Sequence, residues 1–162
     1  MADESGDVTI SPLTAVLTLT TYPPKVFVTY YEQGMIQTAE RMHGKKDYGL
    51  AIIAAHIGCE IAATRAFSKA LQAQNIDYLD EPLSDFLNGF NLASDRNLPL
   101  FNAVTKLGIQ KQPFWADFKA SSKIRNDLVH TIRVATETES RSSLDAATGF
   151  VKFLLGPEWI EN

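Results

Sequence analysis

At 162 residues, 45% of them hydrophobic, the chain is long enough for one domain with a proper core and short for two. Its net charge of −4 argues against binding nucleic acid through overall charge, and its single cysteine, Cys59, excludes an internal disulfide framework. His43, His56 and His130 are scattered, and no Cys/His cluster has zinc-ligand spacing, so neither a metal nor another cofactor is expected. No apolar run has the length that spans a bilayer, and the acidic Met1–Asp7 lacks the basic leader of a signal peptide. The expectation is a soluble cytoplasmic protein with no membrane partner and a reduced cysteine.

Residues 1–24 form an N-terminal extension. Ala15 to Tyr22 is β-branched and predicts a short strand or an extended arm, which Pro23-Pro24 ends. A helical domain follows over 25–157, with 158–162 as a tail. The first helix is predicted from Val26 to Met42, with a patchy face and Gly44 as its C-terminal cap. Arg41 and His43 in the last turn complement the helix dipole. The second and longest helix runs from Lys46 to Ala73. Leu50, Ile53, Ile57, Ile61, Thr64, Phe67, Ser68 and Leu71 make its predicted apolar stripe. Glu60 falls inside that stripe, where a buried unpaired carboxylate would cost several kcal/mol. Its alternative is a place at the stripe's edge, reaching water. His56 sits at the stripe's boundary as a packing residue.

Turn chemistry fills much of 74–97, with one short helix from Leu83 to Phe90 or Leu92. Another helix is predicted from Leu98 to Leu107, stopped by Gly108. After Val134, Thr136 and Glu139 have capping-box spacing, and a last helix spans Ser140 to Leu155 before Gly156-Pro157. The predicted fold class is all-α, an up-and-down bundle of four to five main helices.

Between these lies the run Pro113 to Val134, which predicts a single helix. Phe114, Phe118, Ser121, Arg125, Leu128 and Ile132 recur at the spacing of one face. Arg125 is the wrong residue for such a face. Asn126, His130 and Arg133 share a neighbouring polar strip, and Asn126 and His130, four apart, are within reach of each other. From Lys106 to Arg133 there are six basic residues and two acidic ones, leaving +4. The rest of the chain then carries −8, so this segment is a basic island in an acidic protein. Such an island is what phosphate binding needs, and also what an ordinary solvated helix face carries.

The stretch Ile124-Arg125-Asn126-Asp127-Leu128-Val129-His130 resembles the signature of the HEPN superfamily (higher eukaryotes and prokaryotes nucleotide-binding), bacterial stand-alone type. Members carry an arginine, a polar residue and then a histidine on a late helix of a small all-α domain. Leu100 to Gly108, Phe114-Trp115 and Lys123-Ile124 are similar to the flanking elements of many bacterial members. The resemblance implies a metal-independent endoribonuclease that cleaves single-stranded RNA. Its catalytic residues would be Arg125, His130 and Asn126, with Glu60 and Arg133 auxiliary. Lys119 and Lys123 would bind RNA. It implies a homodimer that brings two arginine–histidine sets into one cleft, in a toxin or defence system with an antitoxin or effector protein as partner. The alternative is a non-catalytic dimer of the same family that binds RNA or protein.

Overall fold

The computed structural model describes residues 30–82, 92–94 and 97–159. The predicted N-terminal strand or arm and the short helix after Leu83 lie outside the described residues. Five α-helices of eight residues or more are present among the described ones: α1 Tyr31–Gly44, α2 Tyr48–Ala73, α3 Asn97–Thr105, α4 Trp115–His130 and α5 Glu137–Leu155. There is no strand among them, and the fold is an all-α bundle.

The central helix is α2, which packs on all four others. Its core face keeps only the C-terminal part of the predicted stripe, where Phe67 and Leu71 are buried. Ala51, Ala54, Ala55, Gly58, Cys59, Ala62 and Ala63 are buried, while Leu50 is exposed and Ile53, Ile57 and Ile61 are half-buried. Small residues win because they let neighbouring backbones approach. A Cβ on Gly58 would stand 3.0 Å from the Glu32 carbonyl oxygen of α1. Leu50, Ile53, Ile57 and Ile61 consequently flank the seam while Ile52 is buried in it, and Glu60 goes with the flanking residues to the edge. By length and composition α2 could cross a membrane, contrary to the expectation that no segment would. In the bundle its apolar surface is the core on which α1 and α5 pack.

α2 and α5 run side by side in the same direction. Tyr48 meets Glu137, Cys59 meets the Ala147 carbonyl, and Lys69 meets Glu158, all at nearly constant sequence separation. The start of α5 follows its capping box, with Thr136 Oγ1 accepting from Glu139 N–H and Glu139 Oε2 accepting from Thr136 N–H. The helix therefore begins three residues earlier than predicted. It ends as expected at Gly156, which has a φ of 54°. α3 stops before Gly108, at Lys106, which has a φ of 58°. α1 is likewise closed by Lys46, with a φ of 67°, and not by Gly44, its last helical residue. At the far end of the bundle Arg65 binds Glu32 and Glu158, each at 2.7 Å, and lies 4.1 Å over the Tyr30 ring.

Candidate functional site

α4 is shorter than the predicted helix over 113–134. It ends at His130, because Thr131 turns extended (φ −134°, ψ 165°) and its hydroxyl donates to the Asp127 carbonyl. Phe118, Ser121 and Ser122 are its buried residues. Phe118 stacks between His56, at 5.4 Å, and Phe150, at 4.5 Å. One turn on, the seam becomes polar. His56, Cys59 and Glu60 of α2, Phe118, Ser122, Arg125 and Asn126 of α4, and Phe150 of α5 enclose a recess of about 10 Å³, the space of one water molecule.

Arg125 is half-buried in this recess, with its side chain 28% exposed. Its Nη2 donates to Glu60 Oε1 at 3.3 Å, and its Nη1 donates to Asn126 Oδ1 at 3.3 Å. Its Nε is buried with no acceptor among the protein atoms. The guanidinium therefore holds two long contacts and one orphaned donor, where charge-assisted bonds normally run about 2.7–2.9 Å. Glu60 and Arg125, the two charges that interrupt the predicted apolar faces of α2 and α4, meet here as an edge pair. The Glu60 side chain is 33% exposed and not buried in a stripe.

The structure does not bring all the predicted residues together. Asn126 contacts Arg125, and His130 is exposed at the end of α4, outside the residues that line the recess. Lys119 and Lys123 are exposed on the same helix. Arg133 does not continue a polar helical strip with Asn126 and His130. It lies past the helix end, where it donates to Asp127 at 2.9 Å and to Glu139 and so ties α4 to α5. Ile132, expected on the apolar face, is fully exposed for the same reason.

His56 is the site residue that sequence reasoning missed. It is buried, as a packing residue should be, yet it also lines the recess and shares a 2.7 Å hydrogen bond with Ser121. Burial, with the nearby Arg125 charge, pushes its pKa down to about 4, so the ring is neutral at pH 7. Its spacing four residues before Glu60 was the available signal. Burial similarly holds the Cys59 thiol well above its ordinary range, which makes it a packing group and not a nucleophile. No cluster of three or more metal-ligating side chains occurs among the described residues. No family model, curated protein or solved structure matches the chain.

Proposed function

We propose that this is a HEPN-type endoribonuclease that cleaves single-stranded RNA without a metal. The observation that carries the reading is the state of Arg125, a half-buried guanidinium with a buried, unpartnered Nε and only long contacts at its other nitrogens. A planar fork with unused donors suits a phosphate, whose several oxygens accept from more than one nitrogen. Lys119 and Lys123 are exposed on the same helix, where they can follow the RNA backbone.

The chemistry then follows from RNA. Its 2′-hydroxyl is the nucleophile, and an imidazole takes the hydroxyl proton as the oxygen attacks phosphorus. His130, exposed, is the candidate for that proton transfer. Arg125 stabilises the charge that develops on the phosphoryl oxygens. The 5′-oxygen leaves with a proton from a second imidazole, giving a 2′,3′-cyclic phosphate and a 5′-hydroxyl. One α4 carries one exposed histidine, so the second comes from a second copy of the chain. An exposed apolar patch supports that pairing. Val129, Ile132 and Val134 follow one another around His130, and Leu50 and Val134 line a groove of about 380 Å³.

His130→Ala is expected to abolish cleavage of a single-stranded RNA and leave the melting temperature unchanged, and EDTA is expected to leave wild-type cleavage intact. Undiminished cleavage by the variant, or strict dependence on a divalent ion, would reject the mechanism. A second reading is favoured by the Glu60–Arg125 contact and by the place of His130 outside the recess. In it the same dimer binds RNA or protein without cleaving. That reading predicts RNA affinity sensitive to Arg125→Ala with no cleavage at any pH.

A further inference from the structure

The Glu60–Arg125 pair differs from every other ion pair among the described residues. Arg65–Glu32 and Arg65–Glu158 close at 2.7 Å, Lys69–Glu158 and Arg141–Asp145 at 2.6 Å, and Arg133–Asp127 at 2.9 Å. Glu60–Arg125 stands at 3.3 Å, one oxygen to one nitrogen. The two partners are also unequally held. Arg125 has its Nε buried in the seam and its Nη1 on Asn126. Glu60 sits on the edge of α2, a third exposed, and its carboxylate has no second bond among the described residues. A rotamer change moves Glu60 into water at the loss of one bond, whereas Arg125 in moving also gives up its contact with Asn126.

We propose that Glu60 is a resident counter-anion of Arg125, an autoinhibitory contact that a phosphate group of RNA displaces. This rests on the reading of Arg125 as the phosphate-binding group, and it gives Glu60 a role opposed to binding. The recess supports displacement over joint occupancy. With the pair closed it has the room of one water molecule, and a phosphate group is several times larger. The exchange is charge for charge, a phosphodiester monoanion for a carboxylate, while His56 stays neutral beneath. The incoming group has more acceptor oxygens than the one it replaces. Its further oxygens can accept from both Nη1 and Nη2, where Glu60 offers one oxygen to Nη2 alone. Asn126, with its amide oxygen on the guanidinium, has its amide nitrogen left to donate to the same anion.

The test is equilibrium binding of a fluorescent single-stranded RNA with 2′-O-methyl sugars, which cannot be cleaved by the 2′-oxygen, at one fixed salt concentration. Glu60→Gln keeps the shape and removes the charge. Glu40→Gln, at an exposed position of α1, makes the same charge change outside the recess and serves as the control. Displacement predicts that Glu60→Gln tightens binding by roughly two- to fivefold, the range of an exposed ion pair. Glu40→Gln should change it less. In an Arg125→Ala background the gain from Glu60→Gln should vanish. The Arg125 Nε–H resonance should shift when RNA binds, and Glu60→Gln should shift it in the free protein too. If Arg125→Ala weakens binding but Glu60→Gln weakens it or leaves it unchanged, Glu60 positions Arg125 and the displacement idea is overturned while the phosphate site stands. An equal gain from both Gln variants overturns it as well. If Arg125→Ala leaves affinity unchanged, the phosphate site itself is wrong, and the inference falls with it.

Discussion

His56 is the residue whose surroundings most constrain the chemistry of the site. Burial first, and then the Arg125 charge, depress its pKa from the ordinary 6.5 to about 4. The unfolded chain therefore takes up a proton near pH 6.5 that the folded chain refuses until near pH 4. His56 contributes fully to stability above that window, and the contribution is lost as pH falls through it. At 1.36 kcal/mol per pH unit, the loss is on the order of 3 kcal/mol at the acid end. Urea unfolding of the wild type and of His56→Gln from pH 7.5 to pH 4.5 checks this. The two stabilities should converge as pH falls, because the glutamine variant lacks the titrating group. Parallel curves would show that His56 binds its proton equally in both states. The ion pair beside it behaves differently. Because Glu60 and Arg125 are each about a third exposed, Glu60→Ala belongs with surface pairs, costing about 1 kcal/mol or less. The deeply buried carboxylate is Glu32, 2% exposed and held by Arg65. Nothing in the helical spacing around Glu32 singled it out, since its burial comes from the close approach of α1 to Gly58.

Among the elements, α2 and α4 show what was legible in the sequence and what was not. The existence and order of the five described helices followed from apolar periodicity; the capping box of Thr136 and Glu139 was legible too, but the helix it starts was placed three residues late, at Ser140. Boundaries set by backbone turns were less visible, because Lys46 and Lys106 adopt the left-handed region beside glycines that were the obvious candidates. The end of α4 depends on the Thr131–Asp127 bond and on Arg133 reaching both Asp127 and Glu139, contacts that spacing alone does not reveal. Arg125 and Glu60 were each legible because both charges stood out on apolar faces, and the structure pairs them. The share of His56 in the recess was not, because a buried histidine and a site histidine look alike in sequence. The face of α2 was read correctly at Phe67 and Leu71 but misjudged before them, because large aliphatics dominate a hydrophobic pattern, while alanine and glycine set how closely helices pack. Gly58→Ala tests that point. Alanine gains about 1 kcal/mol of helix propensity over glycine. Its Cβ would meet the Glu32 carbonyl oxygen at 3.0 Å and the Met35 Cβ at 3.2 Å, so the backbones of α1 and α2 must separate. Overpacking of that kind costs about 1–3 kcal/mol. The second effect wins, and the variant should melt at a lower temperature; a stabilised variant would mean that α1 and α2 part at little cost.

For the whole molecule, charge and apolar surface have to work together. The protein is acidic overall, with a pI near 5.3, yet the segment from Lys106 to Arg133 is basic. If the protein binds RNA as proposed, the affinity should therefore fall with salt, and neutralising Lys123 should reduce the log–log slope by up to about 0.7 on a single strand. A salt-independent affinity would mean that the basic segment is ordinary solvated surface.

The apolar counterpart is the end of α4 and the chain beyond it. Ile132 is fully exposed, Val134 is 87% exposed and Val129 is 49% exposed, so three large apolar side chains flank His130 in water. Leu50 of α2, 56% exposed, borders the same groove as Val134. Such a cluster is costly to leave bare and serves an interface between copies if the proposed pairing is correct. Ile132→Asp separates folding from assembly. An exposed position bears little on the monomer, so stability should change by no more than about 0.5 kcal/mol. Across a twofold axis, however, the substitution puts two carboxylates into an apolar contact, where unpaired charges are strongly unfavourable. Sedimentation equilibrium should give a dimer for the wild type and a monomer for the variant, with equal helical content. Cleavage should be lost with the dimer, since each copy then keeps one exposed histidine. RNA binding to Arg125 should survive in part, because the recess is built within one chain. A monomeric wild type at high micromolar concentration would remove the pairing and the two-histidine mechanism with it. A dimer that persists in Ile132→Asp would place the interface on another face.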